Sequence, residues 1–218
     1  MDNIKGVLFD LDGVLLDTEG IYTEFWSRIN HAFPTGVERF AHVIKGSNLE
    51  SILNTYFARE KHAEIVAMLN DFQRDMEYRF FPGALELLEL LRERAIPCAL
   101  VTSSDSKKMD AVYGAHPTFR DYFAAVVTGE MVSEPKPSAE CYKLGAKLLG
   151  VAIEDCLVVE DSLNGINAGV AGGARVAAIA TTLPEATITA ALGGDPRHHV
   201  YGSTSELLPS LIALINKV

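Results

Sequence analysis

Five short apolar runs punctuate the chain, at residues 7–9, 97–101, 124–127, 156–159 and 175–179. Each has the length of a strand and is apolar at consecutive rather than alternate positions, the pattern of a strand covered on both faces. Helix-like segments separate the last four runs (107–113, 139–149 and 163–171), and another at 84–94 precedes the second. Strands alternating with helices predict an α/β fold, a doubly wound parallel sheet with right-handed crossovers.

The interval 18–80 breaks this alternation. It holds no strand-like run, but Ile21, Phe25 and Ile29 recur at helical spacing, as do Ile52, Thr55 and Tyr56, and then Ile65, Leu69, Phe72 and Met76. Asp17-Thr18 offers a capping start, and Pro82-Gly83 marks the return to the sheet. The chain thus reads as an α/β core at 1–16 and 81–218 with an all-helical cap inserted at 17–80. The segment Thr204 to Ile215 reads as a packing helix.

Composition narrows the role. Nineteen lysines and arginines face 29 aspartates and glutamates, a formal charge of −10, which argues against nucleic acid or an anionic membrane as partner. Cys98, Cys141 and Cys156 sit in or beside apolar runs without metal spacing, as expected of a reduced, cytoplasmic protein. No run approaches the roughly 18 apolar residues of a membrane span. His31, His42, His62, His116, His198 and His199 share no metal spacing and read as surface or local partners. A monomer is expected.

The candidate chemistry lies at the ends of the predicted strands, where open parallel sheets bind ligands. Asp10-Leu11-Asp12-Gly13 follows the first strand. In extended chain its two carboxylates point to one side, roughly 7 Å apart; a plain strand-ending turn also accounts for the pattern. Glu160-Asp161-Ser162 ends the fourth strand, where capping of the next helix explains one acid but not both. Carboxylates gathered from two strand ends raise one another's pKa unless a cation neutralises them, and magnesium, which prefers oxygen ligands, suits them. Thr102-Ser103-Ser104 opens a helix, a place for an anion or an ordinary cap. Lys136, between Pro135 and Pro137, is a loop lysine or a placed point charge.

These segments resemble, in order, the four motifs of the haloacid dehalogenase superfamily of phosphohydrolases: 10–19, 101–104, Lys136-Pro137 and 159–169. Phe81-Pro82-Gly83 matches where a cap rejoins the core. The likeness covers the whole chain and is closest to the helical-cap branch that holds beta-phosphoglucomutase and many small-molecule phosphatases. It implies a Rossmann-like core and the following roles. Asp10 would be the nucleophile, and Asp12 would protonate the leaving oxygen and then deprotonate water. Thr102, Ser103, Ser104 and Lys136 would hold phosphoryl oxygens. Magnesium would rest on Asp10, Glu160, Asp161 and the carbonyl of Asp12. A small phosphorylated metabolite, such as a sugar phosphate, would be the substrate.

Asp12 separates the chain from typical dehalogenases. Lys45-Gly46 resembles the substrate-contacting segment of the mutases, and Tyr22 stands where their first cap helix has histidine, facing the substrate. Leu49 replaces a phosphate-binding arginine, and a mutase must grip a second phosphate. Further departures are Asp105 for lysine, Pro135 for glycine and Ala139 for proline. The expected activity is therefore a magnesium-dependent phosphatase, with a sugar-phosphate mutase as the alternative. A receiver-type signalling module shares these residue types but has no inserted cap and carries its phosphorylated aspartate on a middle strand. A non-catalytic binding protein is the remaining reading.

Overall fold

A computed structural model describes residues 4–215. Its centre is a six-stranded parallel sheet in the order β3-β2-β1-β4-β5-β6, formed by β1 (Gly6–Phe9), β2 (Cys98–Val101), β3 (Ala125–Val127), β4 (Cys156–Glu160), β5 (Arg175–Ile179) and β6 (His199–Tyr201). Strand order reverses beside β1, the switch point where such sheets leave a crevice.

Alternation along the strands explains the consecutive apolar runs. Val7 and Phe9 of β1 pack with α5 (Ala84–Glu93), α6 (Ser106–Ala115) and α10 (Thr204–Ile215), whereas Leu8 packs with α7 (Glu140–Leu149), α8 (Leu163–Gly172) and α9 (Glu185–Ala191). Helices cover both faces, so both residue parities must be apolar. Each fully buried leucine or phenylalanine of these layers contributes roughly 1.5–3 kcal/mol.

Between β1 and α5 lie α1 (Glu19–Ala32), α2 (Phe40–Val43), α3 (Leu49–Tyr56) and α4 (His62–Asp75), which close on a hydrophobic cluster of their own. Phe25 stacks on Phe72 at 4.5 Å between ring centroids, and Trp26 meets Phe40 edge-on. The two chain crossings into this helical unit run side by side. Leu16 and Phe80 form an antiparallel bridge, Asp17 N–H donates to the Arg79 carbonyl at 2.8 Å, and Phe81 N–H donates to Leu15 at 2.9 Å.

Some elements depart from the pattern-based reading. α9 and β6 were not expected: β6 is an edge strand whose His199 is exposed and whose Val200 and Tyr201 are half-buried, so it lacks a two-sided apolar run. Its neighbour His198 is buried, with Nδ1 accepting from Val176 N–H at 3.1 Å. Met76 falls just past the end of α4. All three cysteines are free and buried. Among the described residues no helix is long and apolar enough to cross a membrane.

Candidate active site

The site begins where β1 ends. Asp10 N–H extends the ladder by donating to Val159 O at 3.0 Å, after which Leu15 and Leu16 both donate to Leu11 O and Gly13 donates to Leu16 O. Leu11, Val14, Leu15 and Leu16 are fully buried, so hydrophobic burial pins this turn while Asp10 and Asp12 line one crevice. Gly13 has φ +79°, and a Cβ there would lie 2.0 Å from Asp161 Oδ2. Only glycine allows the turn to pass the second acidic pair.

Lys136 ties the strand ends together. Its ammonium donates to Asp10 Oδ1 at 2.6 Å, Glu160 Oε1 at 2.7 Å and the Val101 carbonyl at 3.3 Å. The Tyr142 hydroxyl adds a bond to Glu160 Oε1 at 3.0 Å, while Glu160 Oε2 accepts from the amides of Asp161 and Ser162 and from the Ser162 hydroxyl. Burial acts to lower the Lys136 pKa, but Asp10 and Glu160 outweigh it and hold the ammonium well above its ordinary range. The helix cap considered for the acids is supplied by Ser162, whose hydroxyl accepts from Gly165 N–H at 3.1 Å. Asp161 is thereby left to the crevice, while Glu160 is spent on Lys136, Tyr142 and the start of the helix.

Asp10, Glu160 and Asp161 each bring an oxygen within 4.8 Å of the others. Burial pushes Asp10 up to about 8 against the pull of Lys136, and burial together with Glu19, Glu160 and Asp10 holds Asp161 well above the carboxylate range. Three buried carboxylates, two of them paired with one ammonium, offer oxygen donors only and fit a hard divalent cation. Glu160 is already saturated by five donors, whereas Asp161 has the Thr182 hydroxyl on Oδ2.

The Asp12 side chain stands apart from that cluster. Lys108, 3% exposed, donates to Asp12 Oδ2 at 2.5 Å, Ser104 Oγ reaches the same oxygen at 3.3 Å, and the Thr18 hydroxyl bonds Oδ1. Thr18 sits at the cap position of α1 but makes no side-chain capping bond; its hydroxyl serves Asp12 instead.

The remaining expected residues divide into two groups. Thr102 is buried at the mouth of β2, its hydroxyl accepting from Ser104 N–H at 3.0 Å. Ser103 Oγ donates to the Gly46 carbonyl at 2.8 Å, and Asn164 Nδ2 donates to the Lys45 carbonyl at 2.8 Å, so the loop after α2 docks on the core. The Lys45 ammonium pairs with Glu19 at 2.6 Å. Tyr22 lines the crevice with the Lys108 ammonium 4.2 Å from its ring centroid. The crevice is roofed by Tyr22, Trp26, Ile44, Leu49, Ile52 and Leu69, and encloses about 120 Å³, well below the roughly 300 Å³ at which pockets for drug-sized ligands begin.

Sequence reasoning did not single out Lys108, Thr18 as a partner of Asp12, Glu19, Gln73, Tyr142 or Thr182. Lys108 carried a signal: a lysine in the first turn of a helix opposes the helix dipole and calls for a local anion. Gln73 carried another, lying four residues after Leu69 on the apolar face of α4. Tyr142 looked like any core aromatic.

Fold and crevice define a doubly wound α/β enzyme that gathers carboxylates, a lysine and hydroxyls beneath a helical roof. The chain belongs to the haloacid dehalogenase-like hydrolase family, whose profile matches residues 4–173. Within that family it groups with phosphatases. Hexitol phosphatase A of Escherichia coli (strain K12) is 34% identical over 181 residues, covering 80% of this chain and 82% of the relative. The Arabidopsis thaliana Protein SUPPRESSOR OF QUENCHING 1, chloroplastic, is 29% identical over 198 residues; they cover 85% of this chain but 19% of that longer protein. A solved hydrolase from Pseudomonas syringae shares the fold, with a TM-score of 0.80 at 22% identity over 95% of this chain and 98% of that one.

Proposed function

We propose that the chain is a magnesium-dependent phosphatase that hydrolyses a small phosphorylated metabolite, a sugar phosphate or similar monoester, through an aspartyl phosphate on Asp10. The observation that carries this reading is the division of labour between two carboxylates of one crevice. Asp10 lies among the other acids against Lys136, while Asp12 is held away from them by Lys108, Thr18 and Ser104.

In the first half-reaction an Asp10 oxygen attacks phosphorus, the ester P–O bond breaks, and Asp12 gives its proton to the leaving alkoxide. In the second, Asp12 takes a proton from water as the water oxygen attacks phosphorus, which frees Asp10 and inorganic phosphate. One acid serves both steps because they are sequential. Thr102, the Ser103 amide, Ser104 and Lys136 would hold the phosphoryl oxygens in line. Magnesium would be held by Asp10, Asp161 and the Asp12 carbonyl and would neutralise phosphoryl charge, with Glu160, whose oxygens are already taken, fixing Lys136 beside it. The helical roof excludes water and limits the leaving group.

A mutase reading is less well served. It needs a cation for a second phosphate, and the lysines lining the crevice, Lys45 and Lys108, are matched by Glu19 and Asp12. Screening phosphate monoesters with magnesium and with chelator tests the proposal. Metal-dependent phosphate release that disappears in Asp10→Asn is expected. Isomerised sugar phosphate without free phosphate would support a mutase instead, and unchanged turnover in Asp10→Asn would remove the nucleophile.

A further inference from the structure

On the roof of the crevice, Gln73 is 6% exposed, and its Oε1 has no hydrogen-bond partner. A buried carboxamide oxygen left without a donor is costly, and the large majority of such atoms in folded proteins are paired. The position makes the oddity sharper. Gln73 follows Leu69 and Ile65 on the buried stripe of α4, where the helical period calls for an apolar side chain.

The rest of the residue is anchored. Nε2 donates to the Tyr22 hydroxyl at 3.1 Å, and the buried Tyr78 hydroxyl donates to the Gln73 backbone carbonyl at 2.8 Å. Burial, with the nearby Asp12, keeps the Tyr22 phenol well above its ordinary range, so it stays a neutral hydroxyl. An acceptor fixed at both of its other ends is preorganised for one donor. Gln73 and Tyr22 both line the crevice over Asp10 and Asp12. The lysines there already have carboxylate partners, so the roof offers neutral hydrogen bonding and no spare charge.

We propose that Gln73 is a specificity-determining residue whose carboxamide oxygen accepts a hydrogen bond from a hydroxyl of an uncharged, hydroxylated leaving group. The inference rests on the phosphatase reading. Gln73 takes no part in bond making; it rewards a substrate whose second hydroxyl meets the roof and penalises one that leaves the oxygen unmet.

The test compares chain-matched esters: glycerol 1-phosphate against propyl phosphate, and sorbitol 6-phosphate against hexyl phosphate. In the wild type the hydroxylated member of at least one pair should have the higher kcat/KM. Gln73→Met should lower that value about 10- to 100-fold and leave the alkyl ester within about twofold, since removing one hydrogen bond to a buried group costs of that order. Gln73→Glu, which keeps an acceptor, should recover part of the preference. Equal losses on both members of a pair, or an unchanged preference in Gln73→Met, would overturn the assignment in favour of simple packing. Thermal-shift titration of the same esters with magnesium into Asp10→Asn and Asp10→Asn/Gln73→Met reads discrimination without turnover. Should the wild type release no phosphate from any ester, the phosphatase reading fails, and these titrations still decide Gln73: a hydroxyl preference lost with Met supports it, and none in either protein overturns it.

Discussion

Asp10 and Asp12 are two residues apart, yet each is matched with its own lysine, Lys136 from the loop before α7 and Lys108 from α6. Separate partners let neighbouring carboxylates keep separate roles. Replacing Lys108 by Met should leave the Asp10 cluster intact while freeing the Asp12 side chain. We expect kcat to fall roughly 100-fold, as misplacement of a reacting group does, with a smaller change in KM and partial recovery in Lys108→Arg. Steady-state kinetics on an activated ester checks this, and an unchanged kcat would remove Lys108 from the machinery. Gly165 gives a second prediction. Alanine there would gain about 1 kcal/mol in helix propensity, but its Cβ would lie 1.6 Å from Glu160 Oε1. Disrupting the buried Glu160–Lys136 pair costs roughly 3–5 kcal/mol, so Gly165→Ala should lose about 2–4 kcal/mol in urea unfolding. At this scale the sequence was most legible where chemistry clusters. Asp10, Glu160 and Asp161 were legible as one cluster because strand ends gather them, and Lys136 reaches them from the loop before α7. Lys108, Gln73 and Thr182 come from other elements, and only the packed chain brings the first two to the crevice and the third to Asp161.

Among the elements, β1 to β5 were readable because unbroken apolar runs mark them, the edge strand β3 included. β6 was not, since an edge strand with an exposed His199 carries no such run. The edge is held partly by His198, whose buried ring accepts from the β5 amide of Val176 through Nδ1. Burial lowers the His198 pKa despite nearby Asp195. A depressed folded value means that this stability is present above the unfolded value of about 6.5 and is lost as pH falls through the folded one. His198 should therefore contribute a loss of melting temperature between pH 7 and pH 5, set against the opposite trend of the raised acids, and His198→Asn, which retains an acceptor but cannot titrate there, should gain on the wild type as pH falls. A difference between variant and wild type that is the same at both pH values would remove His198 from the acid sensitivity.

For the whole molecule, the charge of −10 includes a local excess that the fold concentrates. Without a cation, burial pushes Asp10 up to about 8. Because its folded value is raised, the stability this group contributes is present below its unfolded value near 4 and is lost as pH rises through about 8. Magnesium competes with that proton, so its stabilisation should be larger at pH 8 than at pH 5.5. At 100 times its dissociation constant a bound ion contributes about 2.7 kcal/mol, worth roughly 5–10 °C for a chain of this size. A scan showing equal shifts at both pH values would contradict this account of the acids.

The cap's docking contacts carry a different kind of consequence. Ser103 and Asn164 hold the loop after α2 by the carbonyls of Gly46 and Lys45 rather than by their side chains. A main-chain acceptor survives substitution, so Lys45 can change identity between descendants while the loop still seats on the core, whereas Gly46, at φ +76° with room for no Cβ beside Ser162, cannot. Change at position 45 can then retune what the crevice admits while the closing geometry is inherited intact.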